Sequence, residues 1–241
     1  MRLIVYCQNT KYALNPQSIS DLDVHYGIAD NFVNLIPVFY NNLSDYEKAR
    51  ANCFKYESDY ISYISAHALL RIELSKLLNT NAKSIRIEQA DNEKPFLPGI
   101  NLTFSLSRNN KSFAFVFGHS NQLIGIDVEQ IKTDIDFTGI SERYFSVKEQ
   151  QLIHCFDRTS DQIQAFYEIW TRKEALLKSI GIGINTELSK FQVLEGENQL
   201  DIEGLQLNTS SFKILTIMKD RALISIASSI DFNPLFKDLS F

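Results

Sequence analysis

Cysteine, proline and tryptophan are scarce in this chain of 241 residues. The three cysteines lie far apart and show no C-x-x-C spacing, which argues against a disulfide framework and against a zinc site. The five prolines are scattered, so no Pro-rich linker separates one part of the chain from another. No stretch approaches the roughly 18 apolar residues that a membrane span requires, and the first residues become polar too soon for a signal peptide. We therefore expect a soluble, unprocessed cytoplasmic protein.

An excess of basic charge is also missing. Lys and Arg number 24 against 29 Asp and Glu, which gives a net charge of −5 and a pI near 5.4. Such a balance argues against a protein that binds nucleic acid over its whole surface, although a local basic pocket for phosphates is compatible with it. Hydrophobic residues make up 44% of the chain, and its length is sufficient to bury a sizeable core.

Two carboxylates on one predicted strand are the first feature that suggests chemistry. In residues 125–129, of sequence G-I-D-V-E, alternation along a strand places Asp127 and Glu129 on one face, with Ile126 and Val128 on the other. An isolated D-x-E pair is usually solvated. Two carboxylates on one face also repel each other unless a cation lies between them, so the pair by itself leaves both interpretations open.

A helix predicted near 160–180 adds a third carboxylate. Apolar residues recur there at helical spacing, and Gly181 offers a C-terminal stop. Glu174 and Lys178 lie on one side of this helix, where a simple surface pair would be worth only about 0.2–0.5 kcal/mol. Together with Asp127 and Glu129, Glu174 forms a set of oxygen ligands that suits a hard cation such as magnesium.

Three segments in this order resemble the signature of the 4′-phosphopantetheinyl transferases, specifically the larger, two-lobed type that modifies carrier proteins. Residues 125–129 match a G-[IV]-D-x-E strand, 145–149 match F-[ST]-x-x-E, and 170–178 match W-x-x-K-E-x-x-x-K. Each segment alone would be weak evidence, and the three together are specific.

The resemblance implies an α+β fold: a pseudo-twofold pair of similar α+β lobes, with the active site and coenzyme A in the cleft between them. It implies transfer of phosphopantetheine from coenzyme A to a serine of an apo acyl or peptidyl carrier protein, with release of 3′,5′-ADP. Asp127, Glu129 and Glu174 would bind Mg²⁺, for which Mn²⁺ is a substitute, and Lys178 would contact the coenzyme phosphates and assist the leaving group. No nucleic acid or membrane partner is expected, and the chain is expected to be a monomer.

The same resemblance assigns residues to coenzyme A. Lys94 and Pro95 match a G-K-P segment whose lysine binds a phosphate, with Glu93 in place of the glycine. Residues 104–108 resemble F-[NS]-[IL]-S-H-S, with Ser105 and Ser107 on the serine positions. Leu106 is taken to stand where histidine is usual, so Arg108 is the candidate replacement donor; the alternative is that Arg108 points into water.

Residues 44–54 resemble an early basic helix of the family, which holds the 3′-phosphate of coenzyme A. Arg50 falls on a basic position, whereas Glu47 and Ser62 occupy positions that are usually basic. Arg50 with Lys48 or Lys55 is compatible with the same role; the alternative is a reduced affinity for coenzyme A or a reduced dependence on its 3′-phosphate.

Glu149 has two interpretations. Residues 146–149 form an S-x-x-E capping box, in which Glu149 would bond back to the backbone of the cap residue. By resemblance it would instead be the general base for the serine hydroxyl, and both roles together are compatible.

The order of predicted elements suggests two similar halves, residues 1–119 and 120–241, the second carrying the metal site. Helix is predicted around 44–79, 146–156 and 160–180, and strands near 2–7, 84–89, 102–107, 112–118, 123–129, 190–195, 200–206, 212–218 and 222–228. No residue-level repeat establishes the duplication.

Two other functions are compatible with parts of the sequence. A non-catalytic coenzyme A or carrier-protein binding module of the same fold would account for Leu106, Glu47 and Ser62 as eroded phosphate ligands, but not for three retained carboxylates. An unrelated magnesium phosphohydrolase would not explain the helix at 170–178.

Overall fold

The computed structural model describes residues 21–89, 94–119, 122–182, 188–194 and 212–240. Its strands are β1 (Asp21–Ile28), β2 (Thr103–Arg108), β3 (Ser112–Gly118), β4 (Ile124–Gln130), β5 (Lys213–Lys219), β6 (Ala222–Ser228) and β7 (Asn233–Leu239). Its α-helices are α1 (Ile36–Asn42), α2 (Asp45–Ala51), α3 (Glu57–Leu78), α4 (Phe137–Tyr144), α5 (Val147–His154) and α6 (Thr159–Ile180). Short 3₁₀ helices occupy Ala29–Leu35, Ala82–Ser84 and Leu188–Lys190. This mixture confirms the α+β class.

Each of the two sheets contains one antiparallel hairpin, β2–β3 in the first and β5–β6 in the second. The first sheet has the strand order β2-β3-β1-β7, in which β7 runs parallel to β1, and the second has the order β4-β6-β5. The last strand thus joins the first sheet, although it lies at the far end of the chain. The boundary between residues 1–119 and 120–241 stays a prediction.

Alternation along the strands places the two sheets between two long helices. Even-numbered apolar residues of β1, β3, β4 and β6, among them Val24, Val116, Ile126 and Ile224, form a core between the sheets. Odd-numbered residues such as Phe115 pack instead in a core with α3, and Leu223 and Ala227 pack in a core with α6. Each sheet is therefore covered by one helix of 22 residues on its outer side.

The structure reveals the residue-level repeat that inspection of the sequence missed. In each half a strand is followed by three helices and then by a hairpin that returns to the strand: β1, α1–α3, β2, β3 and then β4, α4–α6, β5, β6. The left-handed residues that end α3 and α6, Asn79 and Gly181, lie 102 positions apart, as do the capping residues of α2 and α5, Ser44 and Ser146.

The predicted elements are confirmed where hydrophobic periodicity is strong, as for β3, β6 and α6. Residues 84–89 are not a strand: they end a 3₁₀ helix and contribute one isolated bridge between Glu88 and Phe96. The strand predicted at 190–195 is not found either: Lys190 ends the 3₁₀ helix, and residues 191–194 contain only isolated bridge positions, while residue 195 lies outside the described residues. Strands β1 and β7 and helices α1 and α4 were not predicted. The predicted strands at 2–7 and 200–206 lie outside the described residues. In the described part of the chain, no helix is both long and apolar enough to cross a membrane.

Gly125 sets the distance between β4 and α6. A Cβ atom at this position would lie 2.0 Å from the carbonyl oxygen of Ala175 and 2.5 Å from the amide nitrogen of Ser179. Only a residue without a side chain allows the helix backbone to approach the strand so closely. The odd-numbered face of β4, which carries Asp127 and Glu129, is therefore in direct contact with α6.

Replacing Gly125 with Ala should destabilise the protein by at least about 2 kcal/mol, because the methyl group must displace helix backbone rather than a flexible side chain. Urea unfolding measures the change. Gly139→Ala is the matched control: its nearest atoms belong to the carboxylate of Asp136, the N-cap of α4, and the higher helix propensity of Ala offsets a weakened cap, so its unfolding midpoint should stay close to that of the wild type. Equal midpoints for the two variants would contradict a backbone contact at Gly125.

A buried ion pair connects α2 to α3. Glu47 caps α2 by accepting from the amide of Ser44, and it also accepts from Arg71 at 2.6 Å. Burial alone raises the pKa of Glu47, but the hydrogen bond from His67 and the charges of His67 and Arg71 outweigh burial and lower the pKa to about 2. The ionised carboxylate is thus stabilised by folding.

Stability should therefore depend on the ionisation of Glu47 at acid pH. Its pKa is about 2 when folded against 4.5 for the unfolded reference, so the contribution is fully present above pH 4.5 and is lost as the pH falls towards 2. In thermal unfolding, Glu47→Gln should melt at a lower temperature than the wild type at pH 7. The difference in melting temperature should shrink as the pH falls from 4.5 towards 2. A difference that stayed constant with pH would contradict the assignment.

Candidate active site around β4 and α6

Three carboxylates converge where α6 crosses β4. Asp127 and Glu129 extend from the β4 face that carries Gly125, and Glu174 extends from α6, one residue before Ala175, whose carbonyl contacts Gly125. Asp127 and Glu174 are buried, with 3% and 6% of their surface exposed, and Glu129 is half-buried. The structure thus brings together the three residues that the sequence predicts as metal ligands.

The electrostatics of this cluster favour a cation. Burial, and then the charges of Asp127 and Glu174, raise the pKa of Glu129 to about 7, although Lys178 and Lys132 oppose the rise. Burial and the charge of Asp127 likewise raise the pKa of Glu174 to about 7 against the effect of Lys178. Desolvated like charges are held together here at a cost that an additional positive charge would relieve.

Two buried oxygen atoms in the cluster, Asp127 Oδ2 and Glu174 Oε1, have no hydrogen-bond partner among the residues that the structure describes. Such atoms, surrounded by an all-oxygen set of carboxylates, fit a hard divalent ion such as magnesium. No group of three or more His, Cys, Asp or Glu side chains in the described ranges is already arranged to hold a metal ion. The fit therefore rests on the chemistry of the donors and on the two unpaired oxygens.

Lys178 and Ser107 complete the polar surroundings of Asp127. The ammonium of Lys178 donates to Asp127 Oδ1 at 2.6 Å and to Ser107 Oγ at 2.9 Å. The hydroxyl of Ser107 in turn donates to the same Asp127 oxygen at 2.7 Å. One oxygen of Asp127 is thus occupied by Lys178 and Ser107, while the other is the unpaired Oδ2. Ser107 was not selected as a site residue from the sequence, although it stands on a serine position of the motif.

The free edge of β4 is held by side chains of the first half. No strand in the described residues pairs with this edge. Instead Lys94 Nζ donates to the carbonyl of Ile124 at 2.6 Å, the amide of Ile126 donates to Ser105 Oγ at 3.1 Å, and Asn109 Nδ2 donates to the carbonyl of Val128 at 3.2 Å. Every second residue of β4 thereby makes one hydrogen bond at this edge without a neighbouring strand.

This arrangement gives Lys94 and Ser105 structural roles beside their predicted contacts with coenzyme A. Ser105 is buried, and burial lowers the pKa of Lys94 to about 8. Lys94 also donates to the hydroxyl of Thr103 at 3.3 Å, and Pro95 beside it is half-buried. The binding of coenzyme A by Lys94, Pro95 and Ser105 stays a prediction.

Arg108 and Arg50 lie on the outer side of the first sheet, towards α2 and α3. The guanidinium of Arg108 lies over the rings of Phe54 and Tyr63, 4.8 and 5.1 Å from their centroids, so it does not simply point into water. Burial lowers the pKa of Arg108, and the charge of Arg50 acts in the same direction against that of Asp59. Arg108 and Arg50 are close enough for their charges to interact. Together they are the local basic feature that the sequence suggests for binding phosphate.

Three residues read from the sequence as lost phosphate ligands have structural roles instead. Leu106 packs against the core that contains α3. It lies two residues after Phe104 and therefore on the same face of β2, the side towards α3. Counted along F-[NS]-[IL]-S-H-S, Leu106 stands on the [IL] position and Arg108 on the histidine position, so the expectation that Leu106 replaces the histidine is wrong. Glu47 pairs with Arg71, and the hydroxyl of Ser62 donates to the carbonyl of Asn109 at 2.5 Å.

Glu149 is fully buried and its carboxylate is engaged on all sides. One oxygen accepts from the amide of Ser146 at 2.8 Å and pairs with Lys173 at 2.9 Å, and the other accepts from the amide of Val193 at 3.0 Å. The capping box predicted from the sequence is confirmed. The role of Glu149 as general base stays a prediction.

Comparisons with known proteins find similarity to phosphopantetheinyl transferases. Residues 123–225 match the sequence profile of the 4′-phosphopantetheinyl transferase superfamily. The chain is 27% identical over 179 residues to the human L-aminoadipate-semialdehyde dehydrogenase-phosphopantetheinyl transferase, covering 69% of this chain but 57% of the human protein. It is 27% identical to the 4′-phosphopantetheinyl transferase Sfp of Bacillus subtilis, over 68% of this chain and 72% of that protein. It is 29% identical to the 4′-phosphopantetheinyl transferase HetI of a Nostoc species, over 59% and 61%.

Replacing Lys94 with Met should separate its two roles. Loss of the hydrogen bond to β4 leaves the Ile124 carbonyl unpaired, which should cost about 1–3 kcal/mol of stability in the absence of any ligand. Thermal unfolding without coenzyme A measures this loss, with Lys111→Met at an exposed position as the control. A variant as stable as the control would contradict the structural role.

Proposed function

We propose that this chain belongs to the 4′-phosphopantetheinyl transferase superfamily and transfers the phosphopantetheine group of coenzyme A to a serine hydroxyl of an apo acyl or peptidyl carrier protein. The serine oxygen forms a bond to the phosphorus that carries pantetheine, and the pyrophosphate bond to the nucleotide breaks. The serine proton is released, and 3′,5′-ADP leaves. The observation that carries the proposal is the buried carboxylate cluster of Asp127, Glu129 and Glu174 beside Lys178.

Asp127, Glu129 and Glu174 would hold a magnesium ion, for which manganese is a substitute. When bound, the ion supplies neutralisation of charge on the pyrophosphate. The two unpaired buried oxygens on Asp127 and Glu174 support this assignment. The contact at Gly125 keeps α6 against β4, so these ligands do not depend on a flexible loop for their placement.

Lys178 is placed to offset the charge that develops on the departing nucleotide. Its ammonium is anchored by Asp127 and Ser107, and about a third of its side chain is exposed. An ammonium so positioned, beside the cluster and reachable from solvent, is suited to a phosphate oxygen. Arg50 and Arg108 would bind the nucleotide phosphates further out, and Lys94, Pro95 and Ser105 would contribute near the edge of β4.

Glu149 is the residue that the family pattern assigns to the serine proton. Its carboxylate would have to leave the Ser146 and Val193 amides and the ammonium of Lys173 before it could accept that proton. This cost favours the structural role.

Incubation of the purified chain with coenzyme A, magnesium chloride and an apo-carrier domain tests the proposed function. The intact mass of the carrier should increase by one phosphopantetheine, and a chelator should abolish the increase. Both acyl and peptidyl carrier domains are used. Binding of coenzyme A without transfer to any of them would overturn the enzyme assignment in favour of a binding module.

Glu174→Gln should lower the transfer rate at least about 100-fold, since it removes a carboxylate assigned directly to the metal, where even supporting residues often matter 10–100-fold. Glu168→Gln is the matched control on the same helix, where Glu168 forms an i,i+4 pair with Arg172. Its rate should stay near that of the wild type. A normal rate for Glu174→Gln at saturating magnesium would remove Glu174 from the metal site.

A further inference from the structure

Each half of the molecule contains the same carboxylate–cation pair. Glu47 caps α2 and Glu149 caps α5, at positions 102 residues apart. Glu47 then pairs with Arg71 and Glu149 with Lys173. Arg71 and Lys173 are each the fifteenth residue of a 22-residue helix, α3 and α6. The pair therefore belongs to the repeat itself and joins a short capped helix to the long helix in each half.

The contacts of the two cations are repeated as well. Each donates to two backbone carbonyls, three residues apart, in the segment that follows its helix: Arg71 to Ala82 and Ile85, and Lys173 to Leu188 and Phe191. Both cations are nearly or wholly buried. Each therefore connects its helix to both the preceding capped helix and the following segment.

The carboxylate cluster, by contrast, is present in only one half. The strand registers show which residues correspond. His25 on β1, opposite Phe115, takes the place of Asp127 on β4, opposite Ser225. Gly27, opposite Phe113, takes the place of Glu129, opposite Leu223. On α3, Ile72 follows Arg71 as Glu174 follows Lys173 on α6. The second oxygens differ, since that of Glu47 bonds His67 and that of Glu149 accepts from the Val193 amide. A glutamate that makes the same helix cap and the same ion pair in both halves, with and without the cluster, performs a task common to both halves.

We propose that Glu149 is a positioning residue and does not accept the serine proton. With Lys173 it fixes the rotation of α6 about its axis. Consecutive helical residues point about 100° apart, so a helix held through Lys173 on one side presents Glu174 towards Asp127 on another. This inference rests on the proposed function, because it assigns Glu149 a part in forming that function's metal site.

Glu149→Gln tests the inference in the full-length chain. Two quantities are measured: magnesium binding by calorimetry in the presence of coenzyme A, and the magnesium concentration that gives half-maximal transfer. The dissociation constant for magnesium and the magnesium concentration for half-maximal transfer should both rise about tenfold, as is common when a residue that supports a metal ligand is removed. At saturating magnesium, kcat should return to within a few-fold of wild type, and the acid limb of the kcat–pH profile should be unchanged.

Glu47→Gln is the matched control, because it breaks the corresponding pair in the half without the cluster. Its melting temperature should fall by an amount similar to that of Glu149→Gln, while magnesium binding stays at the wild-type value. A second variant, Glu149→Gln with Lys173→Met, removes both charges and shows whether the unpaired ammonium of Lys173 alone causes the effect. It leaves the carbonyls of Leu188 and Phe191 unpaired, so it should melt below Glu149→Gln, and at temperatures where both variants are folded it should show at least the same increase in the magnesium requirement.

Two outcomes would overturn the inference. Glu149→Gln with unchanged magnesium binding, a kcat reduced by about 10²–10⁴ at saturating magnesium and a lost acid limb would identify Glu149 as the base. An equal loss of magnesium binding in Glu47→Gln would show a general effect of stability. If the wild-type chain transfers nothing, the proposed function fails separately, and the magnesium titrations still decide whether Glu149 positions Glu174.

Discussion

The backbone contact between α6 and β4 at Gly125 is the constraint on which the site depends. Because no side chain separates the two elements, Glu174 on the helix lies near Asp127 and Glu129 on the strand, close enough for the charge of Asp127 to raise the pKa of both glutamates. A larger separation would let water screen these charges and would weaken any shared binding of a cation. A glycine is thus required in the G-I-D-V-E segment because α6 packs directly on it. The closeness of the neighbouring carboxylates follows from that packing.

The asymmetry between the two halves explains why only one of them carries the cluster. In the first half, β7 pairs with the outer edge of β1, and His25 and Ile72 take the positions of Asp127 and Glu174. In the second half, the corresponding edge of β4 is bonded by Lys94, Ser105 and Asn109. Side chains of one half therefore complete the strand of the other, and the polar residues of β2 are brought beside Asp127.

In each half, a buried ion pair fixes the short capped helix against the long helix. Glu47 with Arg71 and Glu149 with Lys173 are satisfied by backbone groups as well as by each other. Such fully bonded pairs fix orientation even where their net contribution to stability is small. Glu149 also shows how a residue in a signature motif can serve the motif by holding a helix, while its neighbours contact the ligand.

The sequence alone determined the α+β class, helix α6, strands β2 to β4 and the carboxylate set, because alternation and helical periodicity are local properties of the chain. Only the tertiary structure decided the roles of Leu106, Glu47 and Ser62, the bonds of Lys94 and Ser105 to β4, and the burial of Glu149. Those roles depend on partners distant in sequence, such as Arg71 for Glu47 and Ile126 for Ser105. Strand β7 was missed for the same reason, since its pairing with β1 connects the two ends of the described chain and no local pattern encodes it.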